Sequence, residues 1–322
     1  MAFRSRLNRR AKTENETGLS TNANLVGGRF FNKNGTPNMQ VRGLRFLDRL
    51  NIYHSLLLMN RWKFILVIML FFIGINVIFA SIYLLIGLEH LGGLVAKTSI
   101  EKFGESFFFS AQTFTTVGYG RINPIGFLAS FTASLEALIG LLSFAIATGL
   151  LYGRFAKPRP FIQYSKNILV SPFKDGVALM FRMVPYTKNY LVNVEVKLTL
   201  ALRVVENEVQ KNKFYNMNLE IAKANTLTSN WTLVHVIDEN SPLYQFTKED
   251  IENSKAEVLV FVQGFDESFA NTVISRNSYI ADEFFFGAKF SPMYHADEMN
   301  KTTILDIDKL HDYEPVQLAV QF

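Results

Sequence analysis

Two long apolar runs limit what this 322-residue chain can fold into. From Phe64 to Leu88 there is no charge, and Asn76 and Ser81 are the conspicuous polar groups. From Phe127 to Gly153 the one charge is Glu136. Inside a bilayer no water satisfies backbone N–H and C=O groups, so runs of this kind must be helical. At about 1.5 Å rise per residue, each is long enough to cross a ~30 Å hydrocarbon core. Arg61-Trp62-Lys63 supplies an interfacial anchor ahead of the first run. The second run is rich in small residues, among them Ser130, Ala133, Ser134, Gly140, Ser143 and Gly149, which let helices approach closely in a bundle.

Between the runs, Glu89 to Glu101 reads as a loop, and Phe103 to Thr115 as an aromatic helix too short to cross. A re-entrant pore helix fits, since such a segment survives at membrane depth only when buried in protein. It leads into Thr115-Thr116-Val117-Gly118-Tyr119-Gly120. T-V-G-Y-G is the established signature of potassium filters. The residue types suit that task. A potassium ion must trade its water shell for a ring of oxygens, and backbone carbonyls supply the ring when successive peptides turn the same way. Gly118 and Gly120 tolerate the positive φ this requires. Val117 can pack behind the strand, Thr116 adds a hydroxyl acceptor, and Tyr119 can wedge the loop open.

The flanks divide the rest. Residues 1–43 are polar without apolar period, and read as a flexible tail. In 44–60, Leu44, Leu47, Leu50, Tyr53, Leu57 and Leu58 recur at helical spacing, which predicts an interfacial slide helix. A pore domain over 61–156 follows, then a soluble β domain over 157–322. Val192, Val194, Val196, Leu198 and Leu200 alternate with Asn193, Glu195, Lys197 and Thr199, the pattern of a half-buried strand. Leu259-Val260-Phe261-Val262 is continuous, as in a core strand, and further short runs separated by turn residues predict a sandwich. Arg42, Arg45, Arg49, Arg61 and Lys63 precede the first span, and Arg154, Lys157, Arg159 and Lys166 follow the second. Both flanks are basic, so both termini are expected in the cytoplasm of a multi-pass protein of the inner (plasma) membrane.

Cys is absent, which excludes thiolate chemistry and Cys-ligated metals. The five histidines lack metal-ligand spacing, and neither H-E-x-x-H nor G-x-G-x-x-G occurs. A net charge of +5 is modest for a nucleic-acid binder. No enzyme site, cofactor or nucleic-acid partner is expected.

The tail carries more specific motifs. His235-Val236-Ile237-Asp238-Glu239-Asn240-Ser241-Pro242-Leu243, with Trp231 upstream, resembles the H-x-I-D-x-x-S-P-L signature of inward-rectifier potassium channels. Ser275-Arg276-Asn277-Ser278-Tyr279 resembles that family's A-R-x-S-Y strand and turn, Tyr53 to Trp62 the slide helix of its bacterial branch, and Phe155 to Arg159 the exit from its inner helix. The resemblance covers roughly residues 44 to 310. It implies a membrane α + β chain: two transmembrane helices with a re-entrant pore helix and filter, then a cytoplasmic immunoglobulin-like β-sandwich, assembled as a homotetramer.

What the resemblance implies for sites is as follows. K+ is the permeant ion and the only metal, held by backbone carbonyls of Thr116, Val117, Gly118, Tyr119 and Gly120. Thr115, Gln112, Arg121 and Glu136 support the filter. Gln112 stands where the family usually has Glu, and Arg121 where the bacterial branch usually has Asp. Arg121 is either a bare cation at the outer mouth or is neutralised by Glu136 or Glu105; Glu136 itself reads as a hydrogen-bonded brace. Phe144, Thr148 and Tyr152 line the cavity and gate. Phe144 replaces the acid of strongly rectifying members, so block by internal polyamines or Mg2+ should be weak. Arg61, Lys63, Lys157, Arg159 and Lys188 face lipid headgroups, a thinner basic cluster than that of animal members. Two functions fit this layout: a potassium channel gated from its cytoplasmic domain, or a membrane-anchored sensor whose sandwich holds a ligand. The filter motif favours the first, and potassium flux separates them.

Overall fold

A computed structural model describes residues 7–19, 21, 28–43, 51–156, 160–187, 190–206, 209–297, 299 and 301–318. The chain forms two compact units, one of residues 43–157 and the other joining 1–42 to 158–322.

Among the described residues, the first unit holds four α-helices. α1 (Ile52–Leu58) is capped by the Asn51 side chain, which accepts from His54 N–H. The remainder of the expected slide helix, 44–50, lies outside the described residues. α2 (Arg61–Ile86) starts on the Asn60 cap and stops at Gly87, whose φ is 112°. α3 (Ser99–Phe114) opens on a Thr98–Glu101 capping box. α4 (Phe127–Phe155) ends the unit. At about 1.5 Å per residue α2 and α4 run to roughly 39 and 44 Å, whereas α3 reaches only about 24 Å. Leu66, Met69, Leu70 and Phe71 on α2, and Phe131, Leu135, Leu138 and Leu142 on α4, are exposed. Apolar helices of this length that stay uncovered by their own chain suit lipid and neighbouring helices better than a soluble core. A small core of Phe79, Tyr83, Leu91, Phe109 and Ile122 joins α2 to α3. The Tyr83 and Phe109 rings meet edge-on with centroids 5.0 Å apart. A two-residue ladder, β1 (Leu91–Gly92) against β2 (Asn123–Pro124), ties the loop after α2 to the segment after the filter.

The second unit is the expected β-sandwich. Its strands are β3 (Ile162–Tyr164), β4 (Ile168–Phe173), β5 (Gly176–Pro185), β6 (Leu191–Glu206), β7 (Val209–Met217), β8 (Lys223–Leu227), β9 (Trp231–Val236), β10 (Glu257–Asp266), β11 (Asn271–Ile280) and β12 (Phe284–Phe286), with a short helix α5 (Lys248–Asn253) before β10. One sheet runs β11-β10-β6-β7, with β8 also on β6; the other runs β12-β4-β5-β3, with β9 also on β5. Short hairpin pieces β13 (Ala288–Phe290), β14 (Tyr294–Asp297), β15 (Thr302–Leu305) and β16 (Tyr313–Pro315) follow. Ile168, Val170, Leu179 and Phe181 of one sheet pack against Val196, Leu198, Leu200, Val258 and Val260 of the other.

The alternation in β6 breaks at one place. Gln263 pairs with Glu195 but Phe265 with Val192, so β6 carries an extra residue there. Asn193 absorbs it at φ 50°. A bulge shifts the following residues to the other face, and Leu191 rather than Val192 is fully buried.

Residues 1–43 differ most from expectation. Their described part is not a loose tail but a strap on the second unit. Glu14 N–H donates to the Phe214 carbonyl at 2.8 Å, and Asn216 N–H to that of Lys12 at 3.0 Å. Leu19, Phe30 and Phe31 cover Ala201, Phe214 and Leu259 on the sheet's outer face. Glu257, buried, accepts Phe30 N–H at 2.7 Å, and Arg29 reaches Glu283 at 2.8 Å. A polar composition hid this because a few aromatic residues and backbone hydrogen bonds suffice to hold an extended segment.

Candidate functional site

The T-V-G-Y-G stretch is hung from the end of α3. The carbonyl of Gln112 accepts the N–H groups of Val117 at 2.9 Å and Gly118 at 3.3 Å, and the Thr113 carbonyl accepts Thr116 N–H at 3.0 Å. Thr115 Oγ1 donates to the Ala111 carbonyl at 2.7 Å. These bonds satisfy carbonyls that a helix end would otherwise leave orphaned. Gln112 thus meets Val117 and Gly118 through its backbone.

Positive φ recurs at every second residue: 59° at Thr116, 53° at Gly118 and 83° at Gly120. Alternating the handedness of successive residues turns their carbonyls toward one side. For a β-branched residue such as Thr116 this conformation is a genuine outlier, of a kind that clusters at functional sites. Val117 and Tyr119 are exposed in the single chain.

Three helices meet on Glu136. Its fully buried carboxylate accepts the Tyr83 hydroxyl at 2.7 Å and the Ser110 hydroxyl. Ser110 Oγ also lies 2.9 Å from Asn76 Oδ1, and Asn76 Nδ2 donates to the Phe72 carbonyl at 2.6 Å. Polar groups of α2, α3 and α4 therefore satisfy one another where lipid offers no partner. Close by, α4 crosses α3 at Gly140, where an added Cβ would sit 2.0 Å from the Phe114 carbonyl oxygen. Of the two carboxylates weighed for Arg121, it is Glu105 that pairs with it, at 3.0 Å; Glu136 is engaged elsewhere.

Phe144 and Tyr152 are 73% and 74% exposed, and Thr148 is exposed between them, so α4 presents this face uncovered. At the start of α2, Arg61 and Lys63 are exposed beside Trp62. Lys157, Arg159 and Lys188 lie outside the described residues.

Several participants were not singled out from sequence. Tyr83 and Ser110 read as ordinary apolar and small residues of their helices; an acid in a span does call for partners, and that was the available signal. Arg154 read only as a basic flank. In the second unit, His235 Nδ1 donates to the Asn218 carbonyl at 2.7 Å. Its Nε2 therefore accepts from Ser241 Oγ, 2.8 Å away, which makes the H-x-I-D-x-x-S-P-L stretch a structural clasp.

Comparison with known proteins agrees with both units. The model for the inward rectifier potassium channel C-terminal domain matches residues 162–321, and that for an ion channel matches residues 65–157. Inward rectifier potassium channel Kirbac3.1 of Paramagnetospirillum magnetotacticum is 32% identical over 288 residues, covering 88% of this chain and 95% of that protein. Inward rectifier potassium channel 18 of Homo sapiens is 27% identical over 290 residues, covering 82% of this chain and 66% of its own length. ATP-sensitive inward rectifier potassium channel 12 of Mus musculus is 27% identical over 290 residues, covering 82% of this chain and 67% of its own length. With two membrane-length helices around a T-V-G-Y-G loop, a β-sandwich after them, and a relative matched along nearly all its length, the chain belongs to the inward rectifier potassium channel family.

Proposed function

We propose that four copies of this chain surround one axis and pass potassium passively through Thr116, Val117, Gly118, Tyr119 and Gly120, with the gate at the inner end of α4. The observation that carries this reading is the alternation of positive φ at Thr116, Gly118 and Gly120. It suits a column of carbonyls that replaces the hydration shell of a dehydrated cation, and one strand per chain makes four chains necessary. Thr115 and the Gln112 carbonyl hold the column from below, and Glu136 braces it from behind. The ion is cargo, so no resident cofactor or catalytic group is required.

Residues on both sides of the spans fold into one unit, which favours an even number of crossings and both ends on one face. The basic flanks favour the cytoplasm for that face, in a protein of the plasma membrane. The β domain would then act on the α4 gate, where Phe144, Thr148 and Tyr152 of four chains converge. Phe144 brings no charge to hold internal polyamine or Mg2+, so rectification is weak. Arg61 and Lys63, with Lys157, Arg159 and Lys188, bring basic groups to anionic headgroups at about 1 kcal/mol each.

Rubidium uptake into liposomes holding the pure protein tests the core of this reading. Uptake that exceeds sodium uptake supports it, and its absence from a folded tetramer sinks it in favour of a membrane-anchored binding protein. Replacing anionic lipid by neutral lipid tests the lipid arm in the same assay.

A further inference from the structure

Beyond Gly120 the chain leaves the filter through Arg121 and enters the β1–β2 ladder. Arg121 is fixed there twice. Its carbonyl sits against Gly93, at φ 84°, where an added Cβ would come within 1.9 Å of that oxygen. Its guanidinium places Nη1 and Nη2 each 3.0 Å from Glu105 Oε1. The other oxygen of Glu105 accepts the N–H groups of Val95 at 3.0 Å and Ala96 at 3.3 Å. One carboxylate on α3 thus holds the loop after α2 and the cation at the filter exit together. Its side chain is 18% exposed against 57% for Arg121, so the acid is shielded and the cation reaches solvent.

We propose that Glu105 is a positioning and charge-setting residue for conduction: it neutralises Arg121, so that the outer mouth presents no free cationic ring to potassium entering or leaving the filter. This rests on the conduction reading above. The opposite arrangement, an unpaired arginine, would deplete cations at the mouth. The depletion would reach roughly fivefold at 0.01 M salt and vanish near 1 M, because the Debye length falls from about 30 Å to about 3 Å.

The test is rubidium uptake by the reconstituted full chain at those two ionic strengths, for wild type, Glu105→Gln, Arg121→Gln and the double variant. Glu105→Gln should lose about fivefold at low salt and recover at high salt. Arg121→Gln should gain at low salt only, since it leaves the acid uncompensated. The double variant should regain the wild-type salt profile, which loss of a mere loop brace would not allow. A Glu105→Gln defect equal at both salts and unrescued in the double variant overturns the proposal. Should Glu105→Gln fail to assemble, an Arg121→Gln flux that does not rise at low salt overturns it as well. Absence of rubidium uptake by wild type overturns the conduction reading instead, and this proposal with it.

Discussion

Arg154, one residue from the end of α4, donates from Nη2 to the carbonyl of Met59 at 2.7 Å, across the turn between α1 and α2. Its Nη1 reaches the carbonyls of Leu56 and Leu57, and its guanidinium lies 4.4 Å over the Phe64 ring. A residue that reads as a plain basic flank therefore caps the C-terminal end of α1. Hydrogen bonds to charged groups contribute about 1.5–3 kcal/mol each in favourable cases. Arg154→Leu should lower stability by about 2–4 kcal/mol, and Arg154→Lys, which lacks the planar fork, should recover less than half. Thermal unfolding in detergent measures this, and equal melting of wild type and Arg154→Leu would discount the cap.

Glu136→Ala leaves the Tyr83 and Ser110 hydroxyls without their acceptor in a dry site. We expect a loss of about 3–5 kcal/mol and of assembly. Glu136→Gln keeps an acceptor and should retain assembly with a smaller loss. Gel filtration with parallel unfolding curves compares the two; if alanine is tolerated as well as glutamine, Glu136 is not a brace.

Gly140→Ala should be costly because the new methyl meets the Phe114 backbone at 2.0 Å, whereas Gly74→Ala in α2 meets nothing within 4 Å. The first should destabilise by more than about 3 kcal/mol, and the second should be neutral or gain up to about 1 kcal/mol from helix propensity. Reversed ranks in a melting assay would show that α4 does not cross α3 at Gly140.

For the proposed gate, Tyr152→Ala should raise resting rubidium uptake severalfold by removing bulk from the ring that four copies would form. Phe144→Asp should gain inhibition by internal spermine, since four carboxylates would then face the axis. A folded Tyr152→Ala tetramer that conducts like wild type would move the gate elsewhere, and spermine-insensitive Phe144→Asp would turn Phe144 away from the pore.

Burial pushes the Glu257 carboxyl above its usual 4.5, against hydrogen bonds from Phe30 and Ser278 that pull the other way. The folded state then binds more protons than the unfolded state between 4.5 and the raised value, so this group favours folding at low pH and its contribution is lost as pH rises through that window. Relative to Glu257→Gln, wild type should gain stability as pH falls from neutral toward 4.5. A melting-temperature difference that stays flat with pH would mean that Glu257 has no raised value.

Long-range order along the chain was legible in the sequence because it is written in hydropathy: two spans, a short aromatic helix between them, then strands. The sandwich was legible from alternation, but its register was not, since the Asn193 bulge depends on how β10 lies beside β6. The continuous run Leu259 to Val262 signals a strand buried on both faces. Composition could not say that Leu19, Phe30 and Phe31 from the far end of the chain supply the second cover. At the filter the residue types were readable, whereas Arg121 had two acids to choose from. Only the β1–β2 ladder, which brings the loop after α2 to the filter exit, selects Glu105.

The strap formed by the described residues 12–19, 21 and 28–33 also sets a timetable. Arg29 is separated from its partner Glu283 by 254 positions, and Phe30 from Glu257 by 227. Both membrane helices are encoded in between. At 5–20 residues per second, roughly 13–50 s of synthesis pass after Arg29 is made before its partner exists. During that wait the pore segments must enter the bilayer while Leu19, Phe30 and Phe31 stand without their groove, open to chaperones or to a stray sheet edge. The second unit is thus finished only once Glu257 and Glu283 have been made, and its assembly includes the return of residues made before the pore segments.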